Sequence, residues 1–219
     1  MPDFVTFSSL LRITTKYELP AVRSQLLELV RDAYPETSEG LVHSKALGES
    51  VFSGPTPHPN EVLNLFVQQK LTSTLPMAYY MAARRGLRSL MNPRHPARAR
   101  LSPETLQTAA EGLMTLREME LKETHRLIST PHLCHISGGC VSPQMLGPGA
   151  LDVERKVIDQ ITGSSQSGTR VLQVFSLKDI CGDEFYIFCK NCEEWWESGH
   201  VEMRKKAWAA LPSVFGLRI

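Results

Sequence analysis

The chain has 219 residues, 42% of them hydrophobic and 21% charged, and a formal net charge of +1. This is enough chain for one large globular domain or two small ones, with a sizeable core, and the near-neutral balance excludes a global field that would draw it to nucleic acid or to a membrane surface. The longest apolar runs, such as Val171–Phe175, are far too short to span a bilayer, and Met1–Ser9 lacks the basic-then-apolar pattern of a secretory leader, so an intracellular setting, cytoplasmic or nuclear, is expected.

In chain order, Phe7 to Tyr34 reads as two helices. Leu10, Leu11, Thr14 and Tyr17 share a face of the first, and Glu18-Leu19-Pro20 breaks it, because proline disfavours helical geometry in the residue before it. Pro20 suits the first turn of the second helix, where a missing N–H costs nothing. Val22, Leu26, Leu29, Val30 and Ala33 then form an apolar stripe up to Pro35. A plain helical hairpin is the simplest reading. A DNA-reading helix-turn-helix would have only Arg23 and Arg31 as bases on its second helix.

Residues 36–57 carry repeated glycine and proline and few large apolar side chains, the composition of a linker. Glu61 to Gln69 is a short helix with Val62, Leu65, Phe66 and Gln69 on one side. Leu75 to Met91 is expected as one further helix, started by Pro76, with Met77, Tyr80, Met81 and Leu87 turned inward as core. No acidic residue lies between Glu61 and Glu104, whereas Lys70, Arg84, Arg85, Arg88, Arg94, Arg98 and Arg100 do. Such a cluster can meet phosphates or an acidic partner. No aromatic ring of the stacking kind is interleaved among Arg84–Arg100, which counts against single-strand binding.

Ser102-Pro103 is a helix start, serine as N-cap and proline at the first helical position. The helix should reach about Ser129, with Leu106, Ala109, Ala110, Leu113, Leu116 and Met119 buried. Beyond it, 151–161 suggests a short helix, 163–169 a Ser/Gly-rich loop, and Val171–Leu177 a strand or helix that periodicity alone does not separate. A last helix begins near Cys189. Trp196, Met203, Ala207 and Trp208 lie on or near one of its faces, Leu211-Pro212 closes it, and Phe215 and Leu217 tuck back as a tail.

Five cysteines in a reducing compartment are thiols or metal ligands rather than disulfides. Cys189-x2-Cys192 has the spacing of a zinc knuckle, and Cys134-x5-Cys140, preceded by Gly138-Gly139, can supply the second pair, although 48 residues separate the two. Four thiolates would make the ion structural, with no open position for a reacting water. His132, His135 or, less readily, His200 could replace one sulfur. The competing reading is that the cysteines are small buried hydrophobes. No nucleophile elbow, Walker loop or dinucleotide glycine loop is present, and Cys189-x2-Cys192 lacks the strand–helix setting of a thiol oxidoreductase, so no enzyme is expected.

The run Leu10-Leu-Arg-Ile-Thr-Thr-Lys-Tyr-Glu-Leu-Pro20 followed by Ala21-Val-Arg-Ser-Gln-Leu-Leu resembles the closing helices of BTB/POZ domains, and is most similar to fungal, chiefly basidiomycete, BTB domain-containing proteins. His58-Pro59, Val62-Leu63-Asn64-Leu65, Leu75-Pro76-Met77-Ala78-Tyr79-Tyr80, both cysteine pairs and Trp208-Ala-Ala-Leu-Pro212-Ser-Val-Phe215 continue the likeness in matching order. It implies a protein–protein interaction adaptor, in this family sometimes tied to cullin ubiquitin ligases. The sheet and earlier helices of a BTB domain would precede the point where this chain starts, so the sequence is expected to be a fragment, a truncated gene product or a diverged relative.

The sequence therefore predicts an all-α protein, an irregular helical bundle with short non-helical Cys-containing segments. Its organisation would be 1–35 closing helices of a BTB-like domain, 36–57 linker and 58–219 helical C-terminal region with a zinc knuckle on Cys134, Cys140, Cys189 and Cys192. The expected function is an adaptor with a protein partner. The alternative is nucleic-acid binding through residues 84–100.

Overall fold

The computed structural model describes residues 2–31, 33–37, 52–92, 94, 96–129, 171–172 and 190–217. Their regular structure is helical: α1 Phe4–Lys16, α2 Pro20–Arg31, α3 Pro59–Gln68, α4 Leu75–Ala83, α5 Leu87–Leu90, a 3-10 turn Ala97–Ala99, α6 Pro103–Ser129 and α7 Lys190–Val214. A single parallel bridge links Asp3 to Ser53. The all-α expectation holds for these residues. Cys134, Cys140, Cys181 and Cys189 lie outside them, as do 38–51 of the linker and most of 130–189.

The chain divides into two compact units, residues 1–113 with 209–219, and residues 114–208. In the first, α1 is started by Asp3, whose Oδ1 accepts from the Thr6 backbone N–H at 2.8 Å. The break at Glu18-Leu19-Pro20 falls where the sequence puts it, and α2 starts on Pro20. The buried faces are narrower than the apolar stripes: Phe7, Leu11 and Thr14 on α1, and Leu26 and Val30 on α2. Leu10, Tyr17 and Val22, expected inward, are exposed instead. The register explains this for α1. Phe7, Leu11 and Thr14 follow at i, i+4 and i+7, and they leave Leu10 and Tyr17 on a flank. Phe52, near the end of the presumed linker, is buried against Phe4 and Phe7.

The expected single helix from Leu75 to Met91 is two helices. All nine residues of α4 are buried, as befits a run with no charged side chain from Leu71 to Ala83. The chain then turns at Arg84-Arg85-Gly86, and Gly86 has φ +83°. That left-handed conformation ends α4 and is readily adopted only by glycine. The turn also swings Leu87, expected inward, to the surface. α4 packs on α3. Its Tyr79 stacks on Phe215 with ring centroids 5.0 Å apart, which fixes the tail after α7.

In the second unit the buried residues of α6 are Leu116, Glu120, Thr124 and Leu127, and those of α7 are Trp196, His200, Met203 and Ala207. Both sets advance by three or four residues, the spacing of a helix–helix seam. Leu127 lies where a side chain on Gly199 would project, and Glu123 reaches Lys206, so the two helices run antiparallel here. Serine 102 caps α6 as expected, with Ser102 Oγ accepting from the Thr105 N–H at 3.2 Å. Pro212 does not close α7. The helix continues to Val214 and ends at Gly216, φ +60°.

Candidate interaction surfaces

The α1–α2 hairpin is bound to the end of α3 by a polar cluster. The Arg23 guanidinium donates to Thr15 Oγ1 at 2.7 Å and to the Gln69 carbonyl at 2.8 Å, and Thr15 Oγ1 donates to Gln69 Oε1 at 2.6 Å. Arg31 pairs with Glu28 on its own helix. The two bases on which a helix-turn-helix reading of α2 relies are thus engaged within the fold.

With that side of the hairpin occupied, Leu10, Ile13 and Tyr17 stand on the opposite flank of α1 at i, i+3 and i+7, exposed by 39%, 47% and 62%. Leu19 and Val22, each 44% exposed, follow at the turn and on α2. Five large apolar side chains are thus exposed within thirteen residues. The sequence reading placed Leu10, Tyr17 and Val22 on apolar faces and Leu19 in the helix break, and did not single out Ile13.

The basic segment is held by α3. Asn60 Nδ2 donates to the Ala99 carbonyl at 3.2 Å, and Asn64 Nδ2 donates to the Arg98 and Arg100 carbonyls, each at 2.9 Å. Arg98 Nε sits 3.0 Å from Glu61 Oε1, and Glu61 is the buried partner of the two. Arg98 is therefore paired with a carboxylate bordering the segment. Arg85, Arg88, Arg94, Arg98 and Arg100 are all exposed at the surface, with Leu87 and Met91 exposed among them.

In the second unit a recess of about 190 Å³ has walls that include Met119, Val171 and Met203, with Lys122, Glu123 and Lys206 beside them. Glu123 accepts from Arg126 at 2.8 Å and lies 3.5 Å from Lys206. The Arg126 hydrogen bond is the first cause holding its carboxyl below the usual range, and the cations' charge adds to it. The recess combines this ion cluster with the apolar side chains of Met119, Val171 and Met203.

His200 is buried, 4.6 Å between ring centroids from Trp196, and among the described residues neither ring nitrogen has a hydrogen-bond partner. Burial, and then the charge of Arg204, push its pKa down to about 4. Of the four predicted cysteine ligands only Cys192 falls on a described element, near the start of α7. Cys134, Cys140 and Cys189 lie outside the described residues, as do His132 and His135. Among the described residues no group of three or more His, Cys, Asp or Glu could hold a metal, and no helix is long and apolar enough to cross a membrane.

No protein-family model, curated protein or solved structure matches the chain.

Proposed function

We propose that this chain is a protein–protein interaction adaptor that docks its partner on the outward flank of the α1–α2 hairpin. The observation that carries this is the exposed apolar set Leu10, Ile13, Tyr17, Leu19 and Val22 beside a polar cluster that is fully engaged with α3. Apolar surface gathered this way gains free energy only when covered, at about 25 cal/mol per Å². The ordered likeness to fungal BTB proteins points to the same class. A zinc ion on Cys134, Cys140, Cys189 and Cys192 belongs to the proposal as a structural element: its binding energy would stabilise the fold around the start of α7. No reaction is assigned.

The test is a comparison of the wild-type chain with Ile13→Glu/Tyr17→Glu. Both positions are exposed, so thermal stability should be retained. Protein partners recovered with the wild type should be lost with the variant. Nucleic-acid binding through residues 84–100 is the second reading, favoured by the exposed arginines. An affinity for generic DNA or RNA that falls steeply with salt would support it, and indifference to both would support the adaptor.

A further inference from the structure

The surface after α4 combines two features that seldom serve the same ligand. Arg85 and Arg94 are exposed cations, and Leu87 and Met91, at i and i+4, expose 43% and 57% of their area between them. Gly86 produces this arrangement: its left-handed turn ends the buried α4 and lifts Leu87 out of the core. Leu90 remains buried and anchors α5, and the stretch from 62 to 103 supplies no acid to neutralise the cations.

A phosphate backbone would be matched by the arginines alone and would leave Leu87 and Met91 facing water or charge. Nor is there a Phe, Tyr or Trp between residues 84 and 100 on which a base could stack. A lipid surface asks for a long amphipathic helix lying in the interface, and α5 has four residues. An acidic protein segment carrying apolar side chains satisfies both halves of the surface: its carboxylates meet the guanidiniums, and its apolar side chains cover Leu87 and Met91.

We propose that Arg85, Leu87, Met91 and Arg94 form a docking surface for an acidic, amphipathic segment of a partner protein. The inference rests on reading the chain as an interaction module and names the chemistry of one partner, separately from the hairpin face.

The test uses the full chain and a fluorescein-labelled synthetic helix of glutamates with leucines at i, i+3, i+4 and i+7, read by anisotropy. Saturable binding is expected. It should weaken by roughly tenfold or more in Arg85→Glu/Arg94→Glu and by about tenfold in Leu87→Gln/Met91→Gln, and likewise when the probe's leucines are replaced by glutamine. Tyr17→Glu should leave it unchanged, so that failure here and failure of the hairpin docking are told apart. Three outcomes would overturn the proposal: no binding of the probe, binding insensitive to Leu87→Gln/Met91→Gln, or preference of the same arginines for mixed-sequence DNA or phosphatidylserine vesicles.

Discussion

His200 is a buried imidazole whose nitrogens have no hydrogen-bond partner among the described residues, and burial together with the Arg204 charge sets its energetics. Neutral, it sacrifices hydrogen bonds to water without replacing them, a cost of about 1–3 kcal/mol. Charged, it would cost more, which is why its pKa falls from 6.5 to about 4 in the fold. The unfolded chain binds the proton more tightly than the native one across that interval. The stabilisation is therefore complete above about pH 6.5 and is lost as pH falls toward about 4, by an amount on the order of 3 kcal/mol. Thermal melts between those values should show the second unit losing stability with acid. His200→Leu should flatten that profile and leave the protein as stable or more so at neutral pH, and an unchanged acid slope would show that the histidine is not its source. Two glycines give a second test at this scale. Gly112→Ala would normally strengthen a helix by about 1 kcal/mol. Here the new methyl would overlap the Phe215 ring, itself buried and stacked on Tyr79. We expect a net loss of about 1–3 kcal/mol in denaturant melts. Gly199→Ala meets only the terminal methyl of Leu127 and should cost less. Neither glycine can be told from an indifferent helical glycine in the sequence, because the ring and methyl that exclude a side chain come from distant residues.

The starts of α2 and α6 and the end of α6 were read where they fall, whereas α1 and α3 begin three and two residues before the expected Phe7 and Glu61. Asp3, Pro20, Pro59 and Ser102 announce their helices with local chemistry, as capping and proline placement require. The ends use a shared backbone device with differing residues. After α1, the N–H of Leu19 donates to the Thr14 carbonyl and that of Glu18 to Thr15, and after α3, Leu71 donates to Phe66 and Lys70 to Val67. After α7, Leu217 donates to Pro212 and Gly216 to Ser213. Each is the paired-bond C-terminal motif that needs a left-handed residue, but only α7 offers the glycine. Glu18 and Lys70 take φ +52° and +51°. Lys70→Gly should therefore stabilise the chain by about 0.5–1 kcal/mol in chemical denaturation, the relieved strain exceeding glycine's entropy cost. A loss would mean that the Lys70 side chain does more than tolerate its backbone. The cysteine elements call for a separate experiment. Native mass spectrometry of chelator-free protein should find one zinc per chain, absent in Cys189→Ser along with part of the thermal stability. Metal-free protein of full stability would return the thiols to the core.

Among the described residues, the helical class could be read from periodicity, since the apolar spacing of α2, α3 and α6 is regular, although the expected helix from Leu75 to Met91 is two. Which apolar residues stay outside could not. Leu10, Ile13 and Tyr17 carry the same helical spacing as a core stripe, and only the packing of Phe7 and Leu11, together with the Arg23–Gln69 contacts, turns them to the surface. The exposed apolar flank of α1 is thus a product of tertiary structure laid over an ambiguous pattern. The central claim is that a protein covers this face. It is tested most directly by placing a photo-crosslinking amino acid at Ile13 of the full chain in cells and irradiating. The account expects a discrete protein adduct that disappears when Leu10 and Tyr17 are changed to glutamate. Adducts confined to nucleic acid, or a chain that emerges uncrosslinked, would contradict it.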